Sequence, residues 1–331
     1  MQRCGRLLKE SRRYLVGGMF ALTGILGLES CDDPVGPLRD SRGILLAVVG
    51  HFEEPGEIYA MRPDGSEMRR LTNNTLVDTD PDWSPDGQRI AFASARDSLP
   101  GAPERRPDIF VMNEDGSGVR RLFQSSLAAW HPRWSPDGRR IAFESYDPAV
   151  SGFRVYVMNA DGSNVRQIPS AAGENFSPEW SPDGTRILFL SNRPPRGWWT
   201  MYIVNVDGTG EHQLSDDSAC LYNIFGPRWT PDGSRIGYTC EPDGGMLFTV
   251  RADGGDKRLL IPFPPGVESA DLGAVWAPDG SQVAFTSNRS TLDRLGPAVW
   301  HVFVATAAGG NVTQITRDSA SYTVADWGPP R

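Results

Sequence analysis

Apolar residues along this chain come in short bursts, such as Arg89-Ile90-Ala91-Phe92 and Ile109-Phe110-Val111-Met112, each cut off within a few residues by Pro, Asp or Gly. Bursts of that length between turn signals predict many short β-strands and no long helix. The signals repeat. Trp83-Ser84-Pro85-Asp86-Gly87 returns at 134–138 and 180–184, as Trp229-Thr230-Pro231-Asp232-Gly233, and as Trp276-Ala277-Pro278-Asp279-Gly280. A sixth copy, Trp327-Gly328-Pro329-Pro330, is cut off by the end of the sequence. Successive tryptophans lie 51, 46, 49, 47 and 51 residues apart, the spacing of a four-stranded propeller blade.

Each copy reads as strand, tight turn, strand, loop, strand, tight turn, strand. Pro opens the first turn because its fixed φ suits that position, and Gly closes it because it tolerates positive φ. A second Asp-Gly, at Asp64-Gly65, Asp115-Gly116, Asp161-Gly162, Asp207-Gly208 and Asp253-Gly254, marks a hairpin. The N-terminal copy supplies Ile44 to Val49, Ile58 to Met61 and Met68 to Leu71 but lacks a Trp strand, and residues 323–328 supply that strand alone. The expected fold is therefore all-β: a six-bladed propeller over residues 44–331, closed by pairing of its N- and C-terminal strands so that no sheet edge is left open. Six tryptophans at equivalent sites are expected to pack between blades.

These motifs resemble the propeller repeats of the TolB family and, more distantly, the N-terminal propellers of prolyl oligopeptidase-type peptidases. The TolB resemblance implies a rigid ring presenting loops to an envelope protein or peptide. TolB also carries an α/β domain ahead of its propeller, for which this sequence leaves no room, so the expectation is a TolB-like propeller without that domain.

Residues 1–30 read as an export signal, with Arg3, Arg6, Lys9, Arg12 and Arg13 preceding an apolar stretch from Tyr14 to Leu28 that is too short for a comfortable membrane span. Ser11 to Val16 resembles a twin-arginine motif, which leaves twin-arginine and general secretion both open. Leu28-Glu29-Ser30-Cys31 resembles a lipobox with Glu29 as a departure, so lipidation at Cys31 is expected, followed by a tether over 31–43. Asp32 bears on inner against outer membrane without deciding it. The expected location is periplasmic or cell-surface in a bacterium, membrane-bound through the lipid anchor only.

Beyond the first thirty residues, 28 basic residues (33 less 5) face 39 acidic ones (41 less 2), which excludes nucleic acid as a partner. Chemistry is sparse. No G-x-S-x-G elbow occurs, and His51, His131, His212 and His301 are scattered without metal-binding spacing and read as solvated or capping residues. Asp78 to Asp82 lacks a calcium-loop pattern and reads as a turn. No metal and no cofactor is expected. Among four cysteines, Cys220 and Cys240 are expected to form a disulfide, because the turn at residues 231–234 folds the strands that carry them back on each other.

Two groups of candidate binding residues remain. Asp82, Arg133, Glu179, Arg228 and Asp326 each precede a repeat Trp, with Val275 in the sixth place, and are expected near the central channel, either pairing between blades or holding a small polar ligand or ion. The loops opposite the short turns vary, and carry Arg105, Arg106, Tyr146, Arg193, Arg196, Trp198, Trp199 and Arg289, residue types suited to a protein partner. Arg193 and Arg289 also belong to a repeated Ser-Asn-Arg, whose plainer meaning is a structural turn. The reading is a monomeric, non-catalytic binding module. The alternatives are a hydrolase or lyase with its site in the channel, and a carbohydrate-binding envelope protein.

Overall fold

The computed structural model describes residues 45–49, 56–97, 106–124, 128–170, 173–193, 198–214, 223–241, 245–263, 270–289 and 299–329, all within the compact unit Pro37–Arg331. The signal (1–30), the tether (31–43) and Cys31 lie outside the described residues, as do Arg105, Arg196 and Cys220. Cys240 is buried and disulfide-bonded.

The chain is an all-β propeller. β1 (Leu45–Val49), β2 (Glu57–Met61) and β3 (Arg69–Arg70) open it. Next come β4 (Asp78–Trp83), β5 (Arg89–Ser94), β6 (Asp108–Asn113) and β7 (Arg120–Phe123), then β8 (Ala129–Trp134), β9 (Arg140–Asp147), β10 (Gly152–Asn159) and β11 (Arg166–Gln167). The pattern repeats in β12 (Asn175–Trp180), β13 (Arg186–Ser191), β14 (Thr200–Asn205) and β15 (His212–Gln213), and in β16 (Asn223–Trp229), β17 (Arg235–Glu241), β18 (Met246–Arg251) and β19 (Arg258–Leu259). β20 (Asp271–Trp276), β21 (Gln282–Ser287), β22 (His301–Thr306), β23 (Thr313–Gln314) and β24 (Tyr322–Trp327) complete it. The described residues form six four-stranded antiparallel sheets, and one of them has the order β24-β1-β2-β3. In that sheet Leu45 pairs with Trp327 and Val49 with Tyr322.

Asp78 to Asp82, read as a turn from its composition, is strand β4 instead. Its second half contains a β-bulge, and its buried aspartates are engaged, Asp78 by Ser94 and Arg96 of its own sheet and Asp82 by Trp134 N of the next, which overrides their turn preference.

The repeat motif builds its turn through side chains. Ser84 Oγ donates to Asp86 Oδ1 at 2.6 Å and accepts from Arg89 N at 2.9 Å, while Gly87, at φ 66°, donates its N–H to Ser84 O. Ser135, Ser181 and Thr230 repeat these bonds. Within each such sheet an aromatic on the second strand stands directly opposite one on the third: Phe92 and Phe110, Phe143 and Tyr156, Phe189 and Tyr202, Tyr238 and Phe248, Phe285 and Phe303, with ring centroids 5.6–6.1 Å apart.

The cores lie between sheets. Trp134, for example, joins Ala91, Ala93, Ile109 and Val111 of the preceding sheet to Ile141 and Phe143 of its own, and Trp327 joins Val302 and Val304 to Tyr322 and Val324. Each Trp strand also contacts the next in turn, β4 with β8, β8 with β12, β12 with β16, β16 with β20, β20 with β24, and β24 with β4. These strands line the centre and carry the residues that face the channel.

Candidate functional site in the channel and on the loop face

The residue before each repeat Trp points inward, and five of these residues meet in one ion network. Arg228 Nη1 lies 2.9 Å from Glu179 Oε2 and 3.9 Å from Asp82 Oδ1; Arg133 lies 3.4 Å from Glu179 and 3.8 Å from Asp82. β16 and β4 stand three strands apart, so Arg228 reaches across the channel, and its Nη2 also donates to Ala325 O at 2.8 Å. The backbone joins in. Asp82 Oδ2 accepts from Trp134 N at 2.6 Å and Asp326 Oδ2 from Trp83 N at 2.8 Å, each tying one Trp strand to the next. Asp82, Arg133, Glu179, Arg228 and Asp326 thus form a plug of three carboxylates and two guanidiniums, with buried Val275 in the sixth place.

Burial sets the protonation of the plug. Asp82 is pushed up to about 8, first by loss of water and then by the Asp326 carboxylate, with Arg133 and Arg228 only partly opposing. Glu179 is also raised by burial, against the pull of both arginines.

One layer nearer the loop face, each of the first five complete Trp strands bulges and places one residue in the left-handed region: Asp80 (φ 52°), His131 (49°), Ser177 (49°), Gly226 (52°) and Gly273 (54°). His131 Nδ1 stands 3.0 Å from Glu144 Oε1, and its Nε2 stands 3.6 Å from Asp80 Oδ1. The other oxygen of Glu144 accepts from Ser177 N at 2.6 Å. A third of the His131 side chain still meets solvent, and the two carboxylates lift it to about 9 against the opposing effect of burial. It is neither a solvated residue nor a cap, and the spacing of histidines along the sequence gave no hint of it. The available signal was Glu144, a carboxylate in a strand position held by Ala93, Leu190, Thr239 and Thr286 in other repeats.

The loop-face residues divide. Trp198 is 47% exposed, and Trp199 turns inward edge-on to Phe176 at 4.6 Å. Phe176 continues to Phe153 and Phe153 to Tyr146, a row of aromatic rings across two sheets. Phe225, not singled out from sequence, is 40% exposed at the start of β16. Arg106 is exposed. Arg193 and Arg289 are not contact residues. Arg193 is buried against Glu211 and lies 3.9 Å over the Tyr202 ring, and Arg289 is buried against Asp271 and over Phe285 and Phe303. Their repeated Ser-Asn-Arg is a structural device, because a guanidinium with a carboxylate beside it and rings beneath it is more stable inside than displayed.

Residues 100–263 match the family model described as the TolB beta propeller domain (PD40). Over 85 residues the chain is 39% identical to the Tol-Pal system protein TolB of Syntrophus aciditrophicus, covering 26% of this chain and 16% of that protein. Over 84 residues it is 33% identical to an uncharacterized peptidase, YuxL, of Bacillus subtilis, covering 25% of this chain and 12% of that protein. The matched segments span well under a third of these relatives. Among solved structures, TolB from Acinetobacter baumannii superposes with a TM-score of 0.69 at 16% identity, covering 88% of this chain and 67% of that one, a likeness of fold alone.

Proposed function

Because the chain carries a TolB-like β-propeller, we propose that it is a non-catalytic binding module of the bacterial cell envelope whose loop face engages a protein or peptide. The observation that carries this is the row of rings on the loop face, Tyr146, Phe153, Phe176 and Trp199, together with exposed Trp198 next to its last member and exposed Phe225 on β16. Large aromatics held by a rigid sheet are the residue type that dominates interface energies. The similarity to a Tol-Pal system protein of Syntrophus aciditrophicus supports this reading. Export, lipidation at Cys31 and a monomeric ring of six blades, closed by β24 on β1, belong to the same proposal.

The charged groups of the plug are spent on one another, which favours a binding role over a hydrolase or lyase in the channel. A photo-crosslinking residue at position 198, compared with one at position 163 on the short-turn face, tests the proposal in cells. A discrete envelope protein captured from 198 and absent from 163 is expected, and Trp198→Ala weakens its binding by about 2 kcal/mol. Capture from 163 alone would overturn the choice of face.

A further inference from the structure

We propose that the loop-face mouth of the channel is a seat for one positively charged group, the guanidinium or ammonium of a basic side chain on a partner peptide. This deepens the binding-module reading and rests on it.

The argument starts from charge. At the mouth, one imidazolium, His131, lies between two carboxylates, Asp80 and Glu144. Below it, two guanidiniums, Arg133 and Arg228, lie among Asp82, Glu179 and Asp326. The mouth is one cation short among the described residues, whereas the layer below it is balanced while Asp82 keeps its proton. The remaining Trp strand, β20, brings only Gly273 and Val275 to these levels, so nothing described there balances the deficit.

Shape points the same way. Five residues occupy equivalent bulge positions, yet only three carry side chains: Asp80, His131 and Ser177 line one side, while Gly226 and Gly273 leave the other bare. A Cβ built at Gly273 would meet nothing within 4 Å. The mouth is therefore open beside the glycines and anionic opposite them. Phe225, immediately before Gly226 in the chain, is exposed and offers apolar surface to an aliphatic stem whose charged end reaches Asp80. Asp80 keeps a fifth of its side chain in solvent, and Glu144 is fixed by Ser177 N, so Asp80 is the carboxylate that receives the cation.

Binding of a cation is linked to protons. A positive charge near Asp82 favours its ionised form, and loss of the His131 proton removes a competing charge. Given Asp82 at about 8 and His131 at about 9, affinity for a guanidinium rises from pH 6.5 to pH 9. The charged groups taking part are Asp80 and Asp82 on β4, His131 and Arg133 on β8, Glu144 on β9, Glu179 on β12, Arg228 on β16 and Asp326 on β24.

The test titrates the full chain with Nα-acetyl-arginine amide and with its neutral citrulline counterpart, with affinities measured by calorimetry and, in proteins that keep His131, NMR of its ring. The arginine probe is expected to shift the ring signals and to bind at least fivefold more tightly than citrulline. Asp80→Asn, which suits the left-handed backbone there, abolishes that preference, while His131→Asn strengthens arginine binding by removing the competing cation. Equal binding of the two probes, an unaltered preference in Asp80→Asn, or equal weakening in both variants would overturn the proposal. Trp198→Ala leaves the probe affinity unchanged. Failure of the wild-type chain to capture a partner from position 198 with the arginine preference intact would therefore count against the loop-face reading, and capture without an arginine preference against the cation seat.

Discussion

At the residue scale, the repeat tryptophans are held by a partner that repeats with them. Arg89 lies 4.6 Å from the ring centre of Trp134, Arg140 4.6 Å from Trp180, and Arg186 5.3 Å from Trp229, each from the strand after one repeat motif to the Trp of the next sheet. The Arg two residues after the Asp-Gly of the first three Trp motifs is thus part of the inter-sheet core as much as of the surface. Charges inside the channel have the opposite character, since they cost more than they return unless their protonation adjusts. An Asp82 lifted to about 8 keeps its proton in the folded protein long after the unfolded chain has lost it near pH 4. Folded protein then binds more protons than unfolded, so stability falls as pH rises across that window. His131, lifted to about 9, contributes stability that is complete below about pH 6.5 and lost as pH rises through 9. Urea unfolding at pH 5 and pH 8 should show wild type losing stability between them, and Asp82→Asn losing clearly less. Parallel losses in the two proteins would mean that Asp82 is ionised in the fold.

At the element scale, the hairpins explain a glycine requirement that turn chemistry alone understates. Gly116 has φ 87°, and a Cβ there would strike the carbonyl oxygen of Leu71 in the preceding sheet; Gly162 meets Leu122 O in the same way at 2.5 Å. Gly280, in the other turn, has φ 71° and open space around it. Gly280→Ala should therefore cost only the left-handed backbone penalty, roughly 1–2 kcal/mol. Gly116→Ala adds a backbone clash between sheets and should cost at least about 1 kcal/mol more. Chemical denaturation of the two variants compares them directly, and equal losses would remove the inter-sheet role. The strands, both turns and the burial of the tryptophans were legible in the sequence because each is dictated by local residues repeated at fixed spacing. Inward-facing Asp82, Arg133, Glu179, Arg228 and Asp326 were legible for the same reason, since they occupy one repeat position. His131 with Glu144 was not, because their pairing depends on a bulge that turns one residue of β8 aside, and nothing in Trp130-His131-Pro132 announces a bulge. Arg193 and Arg289 misled because a loop arginine reads as exposed until the aromatic pair beneath it is known.

At the scale of the whole molecule, stability rests on contacts between sheets rather than within them, so a sheet that lost one neighbour would fail as a unit. Ile58, Ala60 and Leu71 pack with Trp83, Ile90 and Phe92 on one side of the sheet containing β1, while Met61, Tyr322, Val324 and Trp327 pack with Val302 and Val304 on the other. β24 supplies most of that second face, and Asp326 in addition accepts a hydrogen bond from Trp83 N across the next junction. Gly328 sits so near Trp83 that a Cβ would come within 2.5 Å of its ring, which places even the end of this strand inside the packing. Removing residues 323–331 would strip Val324 and Trp327 from the core, with a loss of roughly 3–5 kcal/mol for the Trp alone. It would also leave β1 as an unpaired edge, free to recruit another chain. The expected outcome is a melting temperature lower by about 10 °C or more, together with concentration-dependent association seen by light scattering. A truncated protein that melts with the full chain and stays monomeric would show that β24 is dispensable and that the sheet of β1 is stabilised by other means.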